Sequence, residues 1–399
     1  MRLAQRILPV LWLVWSACGV ASAAVGARAA SFPLSIVDNR PFVDVTVDGQ
    51  GPFAFILDTG SSSSTLSAAL AEKLRLPRVN AGTGAGAGEQ ALAFPVVHVN
   101  DLSIGPFSIG ALDAPAMDVS ALSQTMGFRH FDGVLGVEIF QGRILTLDAA
   151  RRELIVQDRA GFEPPADAIR VPFVLDEQQM PVLSASVAGV KGAFQVDTGD
   201  RFGLTLFGGF WRAHRMDARL GATVEAMTGY GGGGPIRALV GRPARFSIDG
   251  LAVPAPVTRL SLQRAGAFTR TDRAGSIGMA VLKRFRVSFD YARREMWLSK
   301  SAAFDAPDRY DRSGMWLGLA GERGGLRVVD VVTGGPAAAA GIAPGDLVEQ
   351  VGGVSADAST LADIRAMLQS PDRSAVPVVV RRADTVRDRR VTLRDLIAR

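Results

Sequence analysis

The chain is nearly free of cysteine and poor in histidine: its 399 residues hold one Cys and three His. Cys18 falls in an apolar run, residues 7–20, preceded by Arg2 and Arg6 and followed by Ala21-Ser22-Ala23. A charged start, an apolar middle and a small-residue end form the pattern of a secretory leader, and the run is short for a membrane span. Residues 1–23 are therefore expected to be a signal peptide, removed on export. Lipid attachment at Cys18 is disfavoured by Trp15, which stands where such signals carry Leu. The mature chain then has no thiol, which excludes a cysteine nucleophile, disulfides and thiolate metal sites. His98, His130 and His214 have no metal-ligand spacing and no nucleophile-elbow motif near them, so each is expected to be a surface or packing residue. No later apolar stretch is long enough to span a membrane. The expected location is exported, periplasmic or secreted, with membrane association only if the N-terminal segment is retained.

A concentrated charge is missing too. The net charge is +5, with arginines scattered and without interleaved aromatics, so a nucleic-acid partner is not expected.

What the chain has is a repeat. Phe53-Ala54-Phe55-Ile56-Leu57 reads as a buried strand ending at Asp58-Thr59-Gly60-Ser61, a carboxylate followed by a turn glycine. Gly192-Ala193-Phe194-Gln195-Val196 leads in the same way into Asp197-Thr198-Gly199, 139 positions later. A second block also recurs. Gly133, Gly136, Asp148, Ala150, Arg151, Arg152 and Glu153 reappear 142 positions on as Gly275, Gly278, Asp290, Ala292, Arg293, Arg294 and Glu295. Two nearly equal offsets imply a tandem duplication, joined near Gly161-Phe162-Glu163-Pro164-Pro165. Within the first copy, residues 41–58 read as a hairpin, residues 65–74 as a helix on the spacing Leu66, Leu70, Leu74, and residues 80–88 as a glycine-dense loop. The second copy has its own glycine-rich loop around Tyr230.

A duplicated lobe with one Asp at each strand end can bring two carboxylates together across a pseudo-twofold axis. Such a pair shares a proton, so one member can activate a water as general base while the other protonates a scissile carbonyl oxygen. That chemistry hydrolyses a peptide bond without thiol, metal or histidine.

The paired motifs resemble the aspartic protease superfamily, specifically bacterial retropepsin-like domains in tandem. The resemblance rests on Asp58-Thr59-Gly60-Ser61 with Val134-Leu135-Gly136, and on Asp197-Thr198-Gly199 with Ser276-Ile277-Gly278. It implies a mainly β fold of two acid-protease β-barrel lobes related by pseudo-twofold symmetry, residues 32–160 and 166–300, with a cleft between them. It further implies that Asp58 and Asp197 are catalytic, that Thr59 and Thr198 brace the pair beside Gly60 and Gly199, and that Ser61 hydrogen-bonds Asp58. The glycine-rich loops fit the flap hairpins of that family, which places Gly84, Gly86, Tyr230 and Gly231 against substrate. Asp200 departs from the family, which has a small or hydroxyl residue there. A third carboxylate opposes ionisation of Asp197 unless it points away or meets Arg201, so Asp197 is expected to be the better proton holder. The alternative is a degenerate second lobe that binds peptides without cutting them.

Residues 313–396 are similar to a PDZ domain, above all in Gly335-Pro336-Ala337, Ala340-Gly341-Ile342 and Pro344-Gly345-Asp346. The resemblance implies a small α+β domain that takes a peptide as an added strand and captures its terminal carboxylate on a backbone loop. That loop is expected at Leu317-Gly318-Leu319, beside a helix near Leu361, with packing or autoinhibition as the alternative role. The expected partners are protein or peptide substrates and peptide C-termini. No cofactor and no metal are implied, and duplication favours self-pairing of the lobes in a monomer.

Overall fold

A computed structural model of the protein describes residues 28–128, 131–321 and 325–398. The expected leader, Cys18 within it, and His130 lie outside the described residues. Four sheets organise the rest, and their strand orders repeat the duplication seen in the sequence.

The first lobe is an eight-stranded sheet. Its hairpin Arg40–Val47 and Gln50–Leu57 turns at Asp48-Gly49, both at positive φ, the geometry of a two-residue hairpin turn. The expected helix over 65–74 divides: Thr65–Ser67 is a strand and only Ala68–Lys73 is helical. Thr65 and Leu66 pair with Val134 and Gly133, so ladder hydrogen bonds override the helical leucine spacing in the first turn. Ser67 then caps the helix by accepting a hydrogen bond from the Leu70 N–H. The expected glycine loop is a hairpin, Arg78–Ala85 against Ala91–Ile104, whose tip is residues 86–90. The second lobe is a ten-stranded sheet carrying the matching hairpin, Val224–Gly231 against Gly234–Gly241.

Between the lobes lies a six-stranded sheet with Arg143–Asp148 paired antiparallel to Phe285–Asp290 at its centre. Thr146 faces Ser288 there, their hydroxyls 2.7 Å apart, and the two are 142 residues apart. That is the repeat offset, so the pseudo-twofold axis passes between these equivalent residues. One apolar core runs through both lobes and this sheet, with Phe55 and its repeat Phe194 fully buried.

The fourth sheet belongs to the C-terminal domain. Its edge strand Met315–Leu319 pairs with Leu326–Val331, and helix Leu361–Gln369 packs Leu361, Ile364 and Leu368 into a separate core. Leu317-Gly318-Leu319 is thus strand rather than the loop expected from sequence, because its inner edge is taken up by the ladder with Leu326–Val331.

Candidate active site

Each Asp-Thr-Gly follows directly from a strand held by the second repeated block. Gln50–Leu57 runs parallel to Gly133–Leu135, and the Asp58 N–H donates to Leu135 O at 2.9 Å. In the other lobe Val190–Asp197 runs parallel to Gly275–Gly278, with Asp197 opposite Gly278. The glycines of these blocks leave room for backbone. A Cβ on Gly136 would stand 2.4 Å from Ser63 C, and one on Gly278 2.3 Å from Phe202 O.

The two triplets then lock together. The Thr59 N–H donates to Thr198 Oγ1 at 3.0 Å and the Thr198 N–H to Thr59 Oγ1 at 3.1 Å. Each hydroxyl in turn donates to a carbonyl of the opposite lobe, Thr59 to Val196 O at 2.8 Å and Thr198 to Leu57 O at 2.7 Å. Both threonines are buried, so these four bonds are shielded from water. The glycines complete the fit, since a Cβ on Gly60 would lie 2.6 Å from Asp197 Cγ and one on Gly199 2.4 Å from Asp58 Cγ. Each triplet glycine makes space for the other lobe's carboxylate. Asp58 and Asp197, both half-buried, share a hydrogen bond, and Asp58 also accepts from the Gly60 N–H at 2.8 Å.

Electrostatics make the pair unequal. Burial raises the pKa of Asp58. Burial raises that of Asp197 further, helped by the charges of Asp58 and Asp200, so Asp197 is the member that keeps the proton. Asp200 itself turns away from the dyad. Its carboxylate accepts from Thr205 Oγ1 at 2.6 Å, Ser276 Oγ at 3.2 Å and the Phe202 N–H at 3.0 Å, and pairs with buried Arg259 at 2.9 Å. Burial pushes Asp200 up, but Arg259 and these donors outweigh it and keep it ionised.

One sequence-based expectation needs correction, and one of the two alternatives left open for Asp200 falls away. Ser61 does not reach Asp58: its hydroxyl donates to Ser63 O at 2.8 Å, the local bond a serine makes when a carbonyl two residues on is closer. Arg201 does not meet Asp200 but pairs bidentately with Asp38 at 2.7 Å. Asp38 escaped notice in the sequence, where it belongs to no motif. With Asn39 at positive φ beside it, it forms the turn before strand Arg40–Val47, and it gathers Arg40, Arg201 and Arg365 from both lobes and the C-terminal helix. Burial pushes Asp38 up, but the three guanidinium groups hold it at about 2. Arg40 also donates to Gly199 O at 2.9 Å, so this cluster touches the second triplet directly.

The hairpin residues occupy distinct places. Gly84 lies in the strand, paired with Leu92 and covered by the Phe94 ring, while Gly86 is at the tip. Tyr230 and Gly231 end the rising strand of the second hairpin, with Tyr230 packed on the Phe42, Ile56, Met126 and Phe128 cluster of the first lobe. The tips meet backbone to backbone: the Gly88 N–H donates to Gly232 O at 2.8 Å and the Gln90 N–H to Gly233 O at 2.9 Å, while the Ala267 N–H, from a separate turn of the second lobe, donates to Gly86 O at 2.8 Å. The lobes therefore touch at the triplets and again at the hairpin tips, and the space between the two junctions is bridged. His98 pairs with Asp113 at the surface and His214 packs on Phe210, as sequence suggested for both.

Two family models match parts of the chain. Residues 43–139 match the aspartyl protease family model, and residues 327–382 match that of PDZ domains. The chain thus joins an aspartyl-protease-like region to a C-terminal PDZ domain. Its second lobe, beyond the first match, repeats the first in strand pairing and triplet geometry. Among curated proteins, a 61-residue stretch is 39% identical to the chloroplastic carboxyl-terminal-processing peptidase 2 of Arabidopsis thaliana, covering 15% of this chain and 12% of that protein. The chain spans about an eighth of that relative's length. Among solved structures, the aspartic proteinase from Irpex lacteus is similar with a TM-score of 0.45 and 14% identity, over 70% of this chain and 99% of that one.

Proposed function

We propose that the protein is an aspartic endopeptidase in which Asp58 and Asp197 act on a water held between them, and whose PDZ domain receives peptide ends. One observation carries this reading: the two lobes present half-buried carboxylates in hydrogen-bond contact, each against the other triplet's glycine. Asp58, the more readily ionised, takes a proton from the water as its oxygen attacks the scissile carbonyl. Asp197, protonated, gives its proton to the carbonyl oxygen, forming a neutral tetrahedral diol. Asp58 then delivers its new proton to the departing amine while Asp197 recovers the one it gave, and the carbonyl re-forms as a carboxylic acid. Thr59 and Thr198 act as positioning residues, holding the carboxylates in register so that no reorganisation is needed. Residues 1–23 support an exported location for this activity.

The experiment is cleavage of casein across pH by the full chain and by Asp58→Asn and Asp197→Asn. Each substitution is expected to lower kcat by roughly a thousandfold or more, the scale of a lost general acid or base. Thermal stability should hold or rise, because the repulsion within a half-buried carboxylate pair is relieved. Wild-type activity should be bell-shaped, falling in acid as Asp58 protonates and falling again as Asp197 ionises. Cleavage that survives loss of either aspartate rules out the shared-dyad mechanism.

A further inference from the structure

The groove of the PDZ domain, between edge strand Met315–Leu319 and helix Leu361–Gln369, is already filled. Helix Ser120–Met126 of the first lobe ends there, and residues 124–127 touch both walls. On the strand side Thr125 O accepts from Trp316 Nε1 at 3.0 Å, and a Cβ on Gly318 would lie 2.9 Å from Gln124 O. On the helix side Met126 O accepts from Arg365 at 3.2 Å, and a Cβ on Gly127 would lie 2.2 Å from Leu361 Cδ2. Gly127 ends the helix at φ +83, which lets the chain leave the groove without a side chain striking Leu361.

The same short helix supports the second hairpin. Its other side packs against strand Val224–Gly231, where Tyr230 joins the cluster containing Met126 and Leu122. The PDZ domain holds the middle of that hairpin as well, since Asp330 accepts from the Met227 N–H at 2.9 Å and from Arg237 at 3.2 Å. Segment 124–127 is therefore a wedge between the PDZ groove and the hairpin whose tip is bonded to its counterpart across the cleft.

We propose that segment 124–127 is an intramolecular plug, that a peptide with a free C-terminal carboxylate displaces it from the PDZ groove, and that its withdrawal lets the two hairpin tips part. The inference rests on the peptide-receiving role given to the groove above and adds its regulation. Charge argues for the occupant. Arg365 donates to Leu317 O at 2.9 Å on the groove wall and finds its counter-charge in Asp38, so an arriving carboxylate replaces both Met126 O and part of that pairing. Space argues for the movement. A cavity of about 710 Å³ is bordered by Met126, Gly127, Trp316, Leu361 and Arg365 and reaches Met227 in the middle of the hairpin strand. The segment can withdraw toward it, and doing so takes Met126 out of the cluster it forms with Phe42, Ile56 and Phe128, the cluster on which Tyr230 of the hairpin rests. Closed tips bar the interior of a polypeptide from the cleft, so groove occupancy becomes the condition for substrate entry.

The test uses the full chain, a labelled decapeptide ending in Ala-Leu-Ala with a free carboxylate, and the same peptide amidated. Gly127→Ala puts a methyl against Leu361 at a positive φ and is expected to loosen the plug; Trp316→Phe, which removes the bond to Thr125 and shrinks the ring facing Arg201 and Arg365, serves if Gly127→Ala does not fold. Both variants are expected to bind the free-acid peptide more tightly than wild type, by about tenfold if the plug is out in a tenth of wild-type molecules. Saturating free-acid peptide should speed hydrogen exchange at the Gly88 and Gln90 amides of wild type and raise casein cleavage; the amide should do neither. Equal affinity in wild type and variants, or unchanged exchange at the hairpin tips, overturns the plug. If none of the proteins prefers the free acid to the amide, the peptide role of the groove fails and the plug with it. Loss of the protease reading alone leaves binding and exchange to decide.

Discussion

Asp200 shows how one residue acts on a buried cation and on a neighbouring carboxylate at once. Its carboxylate neutralises Arg259, a guanidinium 3% exposed, while its charge opposes ionisation of Asp197 three residues away. Replacing it by Asn leaves the cation without a counter-charge, which costs about 3–5 kcal/mol in comparable buried pairs. Asp200→Asn should show that loss in urea unfolding at pH 7. The same change lowers the pKa of Asp197, because an anion is gone and Arg259 is no longer neutralised. The alkaline fall in activity should therefore move to lower pH, and a shift to higher pH would contradict the asymmetry assigned to the dyad. The dyad was legible in the sequence because the triplet occurs twice. The partners of Ser61, Arg201 and Asp200 were not, because hydroxyl, guanidinium and carboxylate groups choose among donors and acceptors that only the folded chain brings within reach.

At the scale of elements, the fold depends on strands that approach one another more closely than side chains allow. Gly275 and Gly278 flank strand positions where a Cβ would fall 1.9 Å from Thr205 O and 2.3 Å from Phe202 O, backbone atoms that cannot rotate aside. Gly278→Ala should destabilise the protein by at least about 1–3 kcal/mol, the range for overpacked interiors. The check is a drop in the urea midpoint at unchanged slope, and tolerance of the methyl would show that the loop after the second triplet, residues 200–202, is free to move. The hairpins were visible as glycine-rich stretches, yet their division into strand and tip was not. Gly82 and Gly84 read as loop residues until the Phe94 ring is seen covering the face where side chains would stand.

Asp38 governs the whole molecule, since it ties both lobes to the PDZ helix. Its pKa is held at about 2 against 3.8 for a free Asp, and its side chain is 3% exposed. A group depressed in the folded state stabilises it above the unfolded pKa and ceases to do so as pH falls through the folded value. The contribution, about 2 kcal/mol, is full near neutrality and lost between about pH 4 and pH 2. Asp38→Asn should therefore melt well below wild type at pH 6, with the deficit shrinking as both are taken to pH 2. A deficit that does not change with pH would mean that the three arginines do not depend on this charge.

The sequence by itself determined the mainly β duplicated architecture, the two aspartates at equivalent strand ends, the threonines beside them and the C-terminal PDZ domain. Those features are local or periodic: a strand, a turn glycine and a carboxylate recur at a fixed offset, and the physics of each stretch is contained within it. Only the tertiary structure decided how the copies meet, that Asp200 is held by Arg259, that Asp38 gathers arginines from three parts of the chain, and that the PDZ groove is filled by the first lobe. These depend on charges and carbonyls far apart in the chain, and burial, which no single stretch sets, decides the strength of their interaction.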